Sequence, residues 1–384
     1  MSILSKKIDR ILAIPAMLIL ILAWFAGTEL SRNSSKEEIE SQLPSGSILT
    51  EHDDGIYSFK SDSSQFIVAG EGNGYGGILR TAVQFSSQGQ IRQVYLVNHK
   101  ETPSFVKRLK SRRFSEGFTG MNWEDILNNN DLPDGISGAT FTCRALTEGV
   151  ITATHLFASE FLDIEDLPEQ SSFVLKWTVS HTILVLVLLM SVIITHPRFR
   201  RKITARWILL IFNLIFLGFW TGNQISIVQI SRLTSGEFPP PGQHLFFYIL
   251  IGGSFIIMLL FNKNLYYDRI CPFGAAQDCL AAIGGSKRQL RDKRNLIRWI
   301  PRILSLSLLT LGLIFRHPSS INYEVFSAFF QVLGNSLQFG LLILVLLSSL
   351  FIKRPWCTLF CPVKPVFEYV GMLRNWIVTK KEGQ

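Results

Sequence analysis

Charged residues are scarce in this chain: Asp, Glu, Lys and Arg make up 17% of its 384 residues, against about a quarter in an ordinary soluble domain. Cysteine is also sparse, and five residues are too few for a disulfide scaffold. A hydrophobic content of 47% excludes intrinsic disorder, and the 28 glycines follow no collagen-like period. Apolar segments must therefore account for the missing charge. The length allows about two or three domains.

The net charge of +9 is unevenly distributed along the chain. Between Glu29 and Gln170 there are 12 Lys and Arg against 21 Asp and Glu, a local charge of −9, so the remainder carries +18. Most of those cations form short clusters beside apolar runs. A nucleic-acid-binding surface would instead follow one face of a folded domain, so we expect no nucleic-acid partner. Cations that flank apolar runs indicate membrane topology and contact with lipid.

Six apolar runs predict about six transmembrane helices. By length, the second and sixth are comfortable spans, whereas the fifth is short and needs its flanks. The first run has cations before it but a poor cleavage site, which favours an uncleaved anchor over a signal peptide. The six runs are Ile11–Ala26, Phe173–Thr195, Trp207–Gly222, Leu245–Phe261, Ile303–Phe315 and Leu337–Ile352, and the cations before the first are Lys6, Lys7 and Arg10.

Alternation of the six runs predicts the orientation in a bacterial inner membrane. The cation clusters at 198–206, at 287–298 and from Lys353 onward then fall inside, with the N-terminus, and the cation-poor loops 223–243 and 316–333 fall outside. The predicted domains are an N-terminal anchor (1–27), a periplasmic α+β domain (28–172) and a five-helix membrane domain (173–384).

The outer segment has local signals for a hairpin and a long helix. Ile78–Phe85 and Ile91–Val97 are β-prone runs joined by a loop that contains Gly89. Apolar residues spaced three or four apart predict a helix over Thr142–Phe161. The Ser137–Thr142 turn that opens it favours either a bound phosphate or an ordinary capped helix start.

The sequence Ser137-Gly-Ala-Thr-Phe-Thr142 resembles the signature of FMN-binding domains in the NqrC and RnfG subunits and the NosR/NirI group. Gly74-Tyr-Gly-Gly77 and His99-Lys-Glu-Thr-Pro103 match two further stretches, so the resemblance covers about residues 70–160. It implies FMN held by a phosphoester to Thr142 and attached by an FAD-using flavin transferase of the ApbE type. The cofactor-binding residues that it implies are Asp134, Ser137, Gly138, Ala139, Thr140, Thr142, Gly76, Gly77, Glu101 and Thr102. We interpret Cys143 as a small packed residue.

The other four cysteines fall in the predicted inner loops, where a reducing cytosol disfavours disulfides and favours metal or redox roles. Cys357-Thr-Leu-Phe-Cys361-Pro and Cys271-Pro resemble the paired C-x-x-x-C-P motifs of NosR-like and RdhC/PceC-like membrane flavoproteins. The first motif has Tyr267 where the family has cysteine, with Cys279 as a substitute. The resemblance implies an iron–sulfur cluster on Cys271, Cys357, Cys361 and Cys279. The alternative is packed cysteines left from a degenerate motif.

These features predict a flavoprotein that transfers electrons between two sides. On the membrane side is quinone or a ferredoxin-like partner, and on the outer side is a periplasmic reductase or electron carrier. The alternative is a redox-responsive regulatory or maturation protein. Haem on His181 and His244 and thiol–disulfide exchange at Cys357 and Cys361 are disfavoured by their spacing. Opposite locations for flavin and cysteines would separate them by a hydrocarbon core about 30 Å thick, too far for one electron jump.

Overall fold

The computed structural model describes residues 12–30, 48–52, 56–60, 66–162, 164, 177–196, 199, 201–242, 244–286 and 295–381. They form a sheet domain up to residue 162 and a helical domain that follows it. Several residues used in the topology prediction lie outside the described residues, namely Lys6, Lys7, Arg10, Arg198, Arg200, 287–294 and most of the polar linker after residue 30.

The sheet domain is built on one antiparallel meander of five strands in the order β1-β2-β3-β4-β5. The predicted hairpin is confirmed as β4 and β5, and its Gly89 has a φ of +79°, which glycine adopts without strain. Two irregularities, after Arg80 and after Gln84, interrupt the pairing of these strands. The strands are β1 (Ile48–His52), β2 (Ile56–Lys60), β3 (Phe66–Asn73), β4 (Ile78–Phe85) and β5 (Ile91–His99).

One long helix covers a face of this sheet. The helix α4 (Thr140–Phe161) packs against β3 and β4, and the apolar residues that predicted it are all fully buried: Leu146, Val150, Ala153 and Phe157. Phe157 stacks on Phe85 of β4 with ring centroids 4.3 Å apart. Two short helices, α2 (Pro103–Ser111) and α3 (Trp123–Leu127), connect β5 to α4.

The helical domain contains ten helices among the described residues, besides the N-terminal helix α1 (Leu12–Leu30). Its second helix ends in a π-helical stretch, Leu214–Trp220, which we include in α6. The helices are α5 (Val179–Ile193), α6 (Lys202–Trp220), α7 (Ile227–Thr234), α8 (Leu245–Phe261), α9 (Pro272–Ile283), α10 (Asn295–Phe315), α11 (Phe326–Phe330), α12 (Ser336–Ser349), α13 (Pro355–Leu359) and α14 (Val363–Lys381).

Three of the described helices are long and apolar enough to cross a membrane, so the count of six spans is not confirmed. They are α1, α6 and the Ile297–Phe315 part of α10. The helices α5, α8 and α12 are apolar but have 15, 17 and 14 residues. The second and sixth runs are therefore shorter as helices than their sequences indicated, and the fifth gains length from its polar N-terminal flank. Hydropathy alone does not fix where a helix begins.

Two segments return toward the sheet domain after α8 and α12. Tyr266 lies five residues after the C-terminal end of α8. Its hydroxyl accepts a hydrogen bond of 2.8 Å from the N–H of Ile225, which follows the C-terminal end of α6. After α12, the carbonyl of Phe360 accepts a hydrogen bond from Tyr323, which precedes α11. The helices α9 and α14 then begin at Cys271-Pro and Cys361-Pro. The cysteines expected in inner loops are thus carried by returning segments.

The two domains meet in a polar interface. Buried Arg232 of α7 donates to the carbonyl of Gly74 and, at 3.0 Å, to the side chain of Asn73. Lys100 of the sheet domain forms an ion pair with Glu237, and its carbonyl accepts a hydrogen bond from Ser319. These bonds fix the end of the hairpin against the helical domain.

Candidate functional site

Thr142, the predicted flavin anchor, lies in the first turn of α4 with its side chain buried. Its hydroxyl donates a hydrogen bond of 2.6 Å to Oε2 of Glu101, which follows the end of β5. The other oxygen of Glu101 accepts the backbone N–H of Gly76 at 2.7 Å. Thr142 and Glu101 are 1% and 0% exposed. The structure therefore joins all three stretches of the family resemblance at one carboxylate.

Burial raises the pKa of Glu101, while the hydrogen bonds from Thr142 and Gly76 act in the opposite direction. Next to Gly76, Tyr75 is tied to the helical domain, with its hydroxyl 2.7 Å from Oγ of Ser226. Burial raises the pKa of Tyr75 well above its usual range, so it stays a neutral hydrogen-bonding group. The site therefore spans the domain interface.

The signature turn before α4 depends on glycine at one position. Gly138 has a φ of +84°, and a Cβ there would lie 3.0 Å from Cδ1 of Leu333 in the helical domain. Ala139 is buried and is the N-cap residue of α4, and Thr140 is exposed. Cys143 is buried and accepts the N–H of Ile136 at 3.5 Å, which agrees with a packing role.

A cavity of about 1380 Å³ lies over this turn and extends between the two domains. Ser137–Thr142 line one part of it, together with Glu148. The other part is lined by the first turn of α5, the last turn of α6, the first turn of α8 and the segment 322–332. The helical domain thus supplies a large share of the wall.

The predicted cofactor residues divide into two groups. Ser137, Gly138, Ala139, Thr140 and Thr142 line the cavity, whereas Asp134 is exposed and does not line it. The second group does not line the cavity but positions Thr142. Glu101 accepts hydrogen bonds from both Thr142 and the N–H of Gly76. Gly77 closes the turn that begins at Gly74 with a bond of 2.9 Å, and the buried Thr102 accepts a hydrogen bond of 3.3 Å from Asn322.

The cavity also brings together residues that sequence reasoning left apart. His181 and His244 lie on different helices but both line it, and the His244 ring is parallel to Phe141 at 6.1 Å. Buried Gln224 and Glu324 line the same cavity. No local pattern links these residues, because His181 lies in the first turn of α5 and the other three come from separate connections between helices. Among the described residues, no group of three His, Cys, Asp or Glu is arranged to hold a single metal ion.

Cys271, Cys357 and Cys361 are brought together in the core of the helical domain. Burial and the neighbouring thiols Cys357 and Cys271 raise the pKa of the Cys361 thiol well above its usual range. Cys357 and Cys361 are 2% and 8% exposed. Gln277 of α9 donates a hydrogen bond of 3.2 Å to Sγ of Cys357. The N-termini of α9 and α14 start beside Cys271 and Cys361, and helix N-termini favour negative charge.

Tyr267 lies with these three cysteines, and Cys279 does not. The Tyr267 ring packs against the same core and has the cations of Arg354 and Lys364 within 5.2 Å and 5.0 Å of its centroid. Cys279 lies two residues after Gln277 on α9, and residues two apart do not share a helix face. It is half-buried, and within the described part of the chain the charge that acts on its thiol is that of its neighbour Asp278. The predicted substitution of the missing cysteine by Cys279 therefore finds no support in the geometry.

A buried ion-pair network fixes the two cysteine segments to each other. Asp278 of α9 accepts hydrogen bonds of 2.9 and 2.7 Å from Arg354 and one of 2.7 Å from Arg206 of α6. Burial alone would raise the pKa of Asp278, but these two guanidinium groups hold it below its usual range. Arg354 also donates to the carbonyl of Tyr267. The network therefore sets the position of Tyr267 relative to Cys357.

A continuous chain of contacts connects the Thr142 site to the cysteine group. Tyr75 bonds Ser226, and the N–H of the next residue, Ile227, donates to the buried carboxylate of Glu324 at 3.1 Å. The adjacent Tyr323 donates to the carbonyl of Phe360, the residue before Cys361. The two sites are thus linked through four side chains, those of Tyr75, Ser226, Glu324 and Tyr323, joined by adjacent backbone. The expectation of a full hydrocarbon core between them is wrong, because the returning segments carry the cysteines toward the sheet domain.

Two family models match parts of the chain. Residues 74–155 match the FMN-binding domain, and residues 243–291 and 337–381 match a 4Fe-4S binding domain. The chain therefore combines an FMN-binding domain with a 4Fe-4S binding domain, and the three thiols that meet in the core all lie in the second match. No curated protein matches this chain.

Proposed function

We propose that this protein is an electron-transfer flavoprotein of the bacterial inner membrane, with FMN joined covalently to Thr142. Electrons pass between the membrane and a periplasmic acceptor. The observation that carries the proposal is the short chain of contacts between Thr142 and the cysteine group, in a chain with both an FMN-binding and a 4Fe-4S binding domain.

Thr142 and the turn before it fit the phosphate end of FMN. The hydroxyl of Thr142 is the phosphoester oxygen, and the free N–H groups of the first turn of α4 offset the remaining negative charge. Glu101 accepts the proton of that hydroxyl in a hydrogen bond before the ester forms. Bound FMN would supply one- and two-electron chemistry, while the protein positions it and tunes its potential. We assign attachment to an ApbE-type flavin transferase.

The cysteine group fits an iron–sulfur cluster in part. Cys271, Cys357 and Cys361 supply three thiolates, which are the usual ligands, and Tyr267 occupies the remaining side of the group. Two helix N-termini and the nearby cations favour the negative charge of such a site. We propose these three cysteines as ligands, without Cys279.

The helix ends support the proposed orientation. Among the described residues, the ends of α5, α6 and α8 that border the cavity carry no Lys or Arg, whereas Arg201 precedes α6, Lys202 begins it and Lys263 follows α8 at the opposite ends. Cations are enriched on the cytoplasmic side of a membrane. We therefore place the sheet domain in the periplasm and propose membership of the NosR/NirI and RdhC/PceC-like superfamily, with a periplasmic reductase or electron carrier as partner.

Intact-protein mass with in-gel flavin fluorescence tests the flavin assignment. The full chain is expressed with the transferase as wild type, Thr142→Ala and the control Thr119→Ala, whose side chain is exposed in the sheet domain and does not line the cavity. We expect one covalent FMN in the wild type and the control and none in Thr142→Ala. Fluorescence that survives in Thr142→Ala, or is absent from the wild type, contradicts the proposal.

Iron and sulfide analysis of the same preparations tests the cysteine assignment. Cys361→Ala should lose the cluster, and the matched control Cys279→Ala should keep it. Turnover then separates electron transfer from regulation. Quinol oxidation by membranes that is lost in Thr142→Ala supports electron transfer. Undetectable turnover, with loss of expression of a periplasmic reductase, supports a regulatory role instead.

A further inference from the structure

The cavity between the two domains is larger than one small ligand requires. Its volume of about 1380 Å³ exceeds the usual range of about 300–1,000 Å³ for such sites. The part next to Thr142 is lined by the signature turn. The part in the helical domain contains five aromatic rings among polar side chains, namely Phe219, Trp220, Phe246, Phe326 and Phe330. We call the part of the cavity lined by these rings the apolar compartment.

The apolar compartment has an exposed apolar rim. Phe219 and Trp220 are 55% and 72% exposed at the end of α6, a helix long enough to cross a membrane, and Val332 opposite them is 71% exposed. In a membrane, side chains of this kind at a helix end face lipid or the lipid–water interface. An apolar rim of this kind would suit a lipophilic ligand that enters from the bilayer.

The wall of the compartment contains polar atoms that have no partner among the described residues. They are Nε2 of His244, Oε1 of Gln224 and Oε1 of Gln331, and all three residues line the cavity. His244 and Gln224 are 6% and 7% exposed. Buried polar groups are nearly always hydrogen-bonded, so these atoms indicate a ligand with polar groups on a small apolar body.

A buried carboxyl group completes the wall. Glu324 is 2% exposed, and among the described residues its carboxylate accepts hydrogen bonds from Ile227 N–H alone, at 3.1 and 3.2 Å. Burial raises the pKa of Glu324 to about 8, partly offset by the bond from Ile227. Such a group gains or loses a proton near neutral pH.

We propose that the apolar compartment binds the ring of a membrane quinol, with Gln331 and His244 at its oxygens and Glu324 as the proton acceptor. The stacking of His244 on Phe141, next to Thr142, places the ring beside the flavin anchor. Oxidation of the quinol to quinone releases two electrons and two protons. Bound FMN would take both electrons and one proton, and the ionised carboxylate of Glu324 would take the second proton. This inference rests on the proposed function, because it supplies the electrons for that flavin.

Binding of menadione and reduction by menadiol test the site in the detergent-solubilised full chain. The variants are Gln331→Leu and His244→Leu, with Gln93→Leu as the matched control, because Gln93 is exposed on β5 of the sheet domain. We expect saturable menadione binding, weakened about three- to tenfold in each site variant and unchanged in the control. Anaerobic menadiol should reduce the flavin more slowly in the site variants, while dithionite reduces it equally in all of them.

Thr142→Ala separates this proposal from the proposed function, because a flavin-free protein should still bind menadione. Two results would overturn the quinol site. One is menadione binding that is non-saturable or equal in all variants. The other is a changed flavin absorption spectrum in Gln331→Leu with unchanged menadione affinity, which would assign the compartment to the flavin ring itself.

Discussion

Removing the charge of Asp278 should separate the two cysteine segments. Its carboxylate is fully buried and accepts three hydrogen bonds, two from Arg354 and one from Arg206. The substitution Asp278→Asn keeps the shape of the side chain but leaves two guanidinium groups without their counter-charge. Loss of one partner from a buried ion pair costs about 3–5 kcal/mol.

Asp268→Asn is the matched control, because it lies on the same returning segment and contacts the same cation. Its side chain is 45% exposed and lies 3.6 Å from Arg206, so the loss should not exceed about 1 kcal/mol. At about 2–4 °C per kcal/mol for a domain of this size, Asp278→Asn should lower the unfolding midpoint by about 6–20 °C.

Thermal unfolding in one detergent, followed by tryptophan fluorescence, measures the difference. Trp356 suits this purpose, because it is fully buried and its backbone N–H donates to the side chain of Gln277, the neighbour of Asp278. Equal midpoints for Asp278→Asn and Asp268→Asn would refute the view that this network holds the cysteine segments together.

Three further substitutions test other parts of the structure. The pKa of Glu324 is about 8 in the folded protein and about 4.5 in the unfolded chain, so stability falls as pH rises between these values. Glu324→Gln should flatten this fall in a pH series of unfolding midpoints, and parallel curves would contradict it. Glu101→Gln should slow flavin attachment to Thr142 by about 10²-fold in a fluorescence time course, because an amide cannot take the proton of the Thr142 hydroxyl. An unchanged rate would exclude Glu101 as the acceptor of that proton. Gly70→Ala should destabilise the sheet domain by about 1–3 kcal/mol in chemical unfolding, because its Cβ would lie 2.0 Å from the carbonyl oxygen of Gly149. The control Gly252→Ala should not destabilise the protein, because nothing lies within 4 Å of its Cβ, and equal effects would refute the close contact.

The parts of the fold that depend on local pattern could be predicted from the sequence. The period of Leu146, Val150, Ala153 and Phe157 predicted a helix with one buried face, and the loop with Gly89 predicted the hairpin. Local patterns were sufficient here because each element is specified by residues close together in the chain.

The composition of the site could be predicted only in part. The signature turn drew attention to Thr142, but its partner Glu101 lies 41 residues away, and the resemblance placed it only in a segment near the flavin. The meeting of Phe141 with His244 joins two domains and has no signal in a single sequence. The path of the cysteine segments was missed for another reason: hydropathy measures how apolar a helix is and gives no direction to the chain that follows it.

The burial of Thr142 has a consequence for the order of biosynthesis. Thr142 is 1% exposed, and a Cβ on Gly138 in the turn before it would lie 3.0 Å from Leu333 of the helical domain, so the docked domains leave little room for a second enzyme at the Thr142 hydroxyl. Under the proposed function, FMN must therefore be attached to Thr142 before the two domains dock. The hydrogen bond from Arg232 to the carbonyl of Gly74 then stabilises the docked arrangement. Mature chains purified without flavin should remain poor substrates for the transferase, whereas Arg232→Ala chains should still accept it. Whether a chain becomes active would then depend on whether FMN is attached before the domains dock, and not on the affinity of the transferase for the chain.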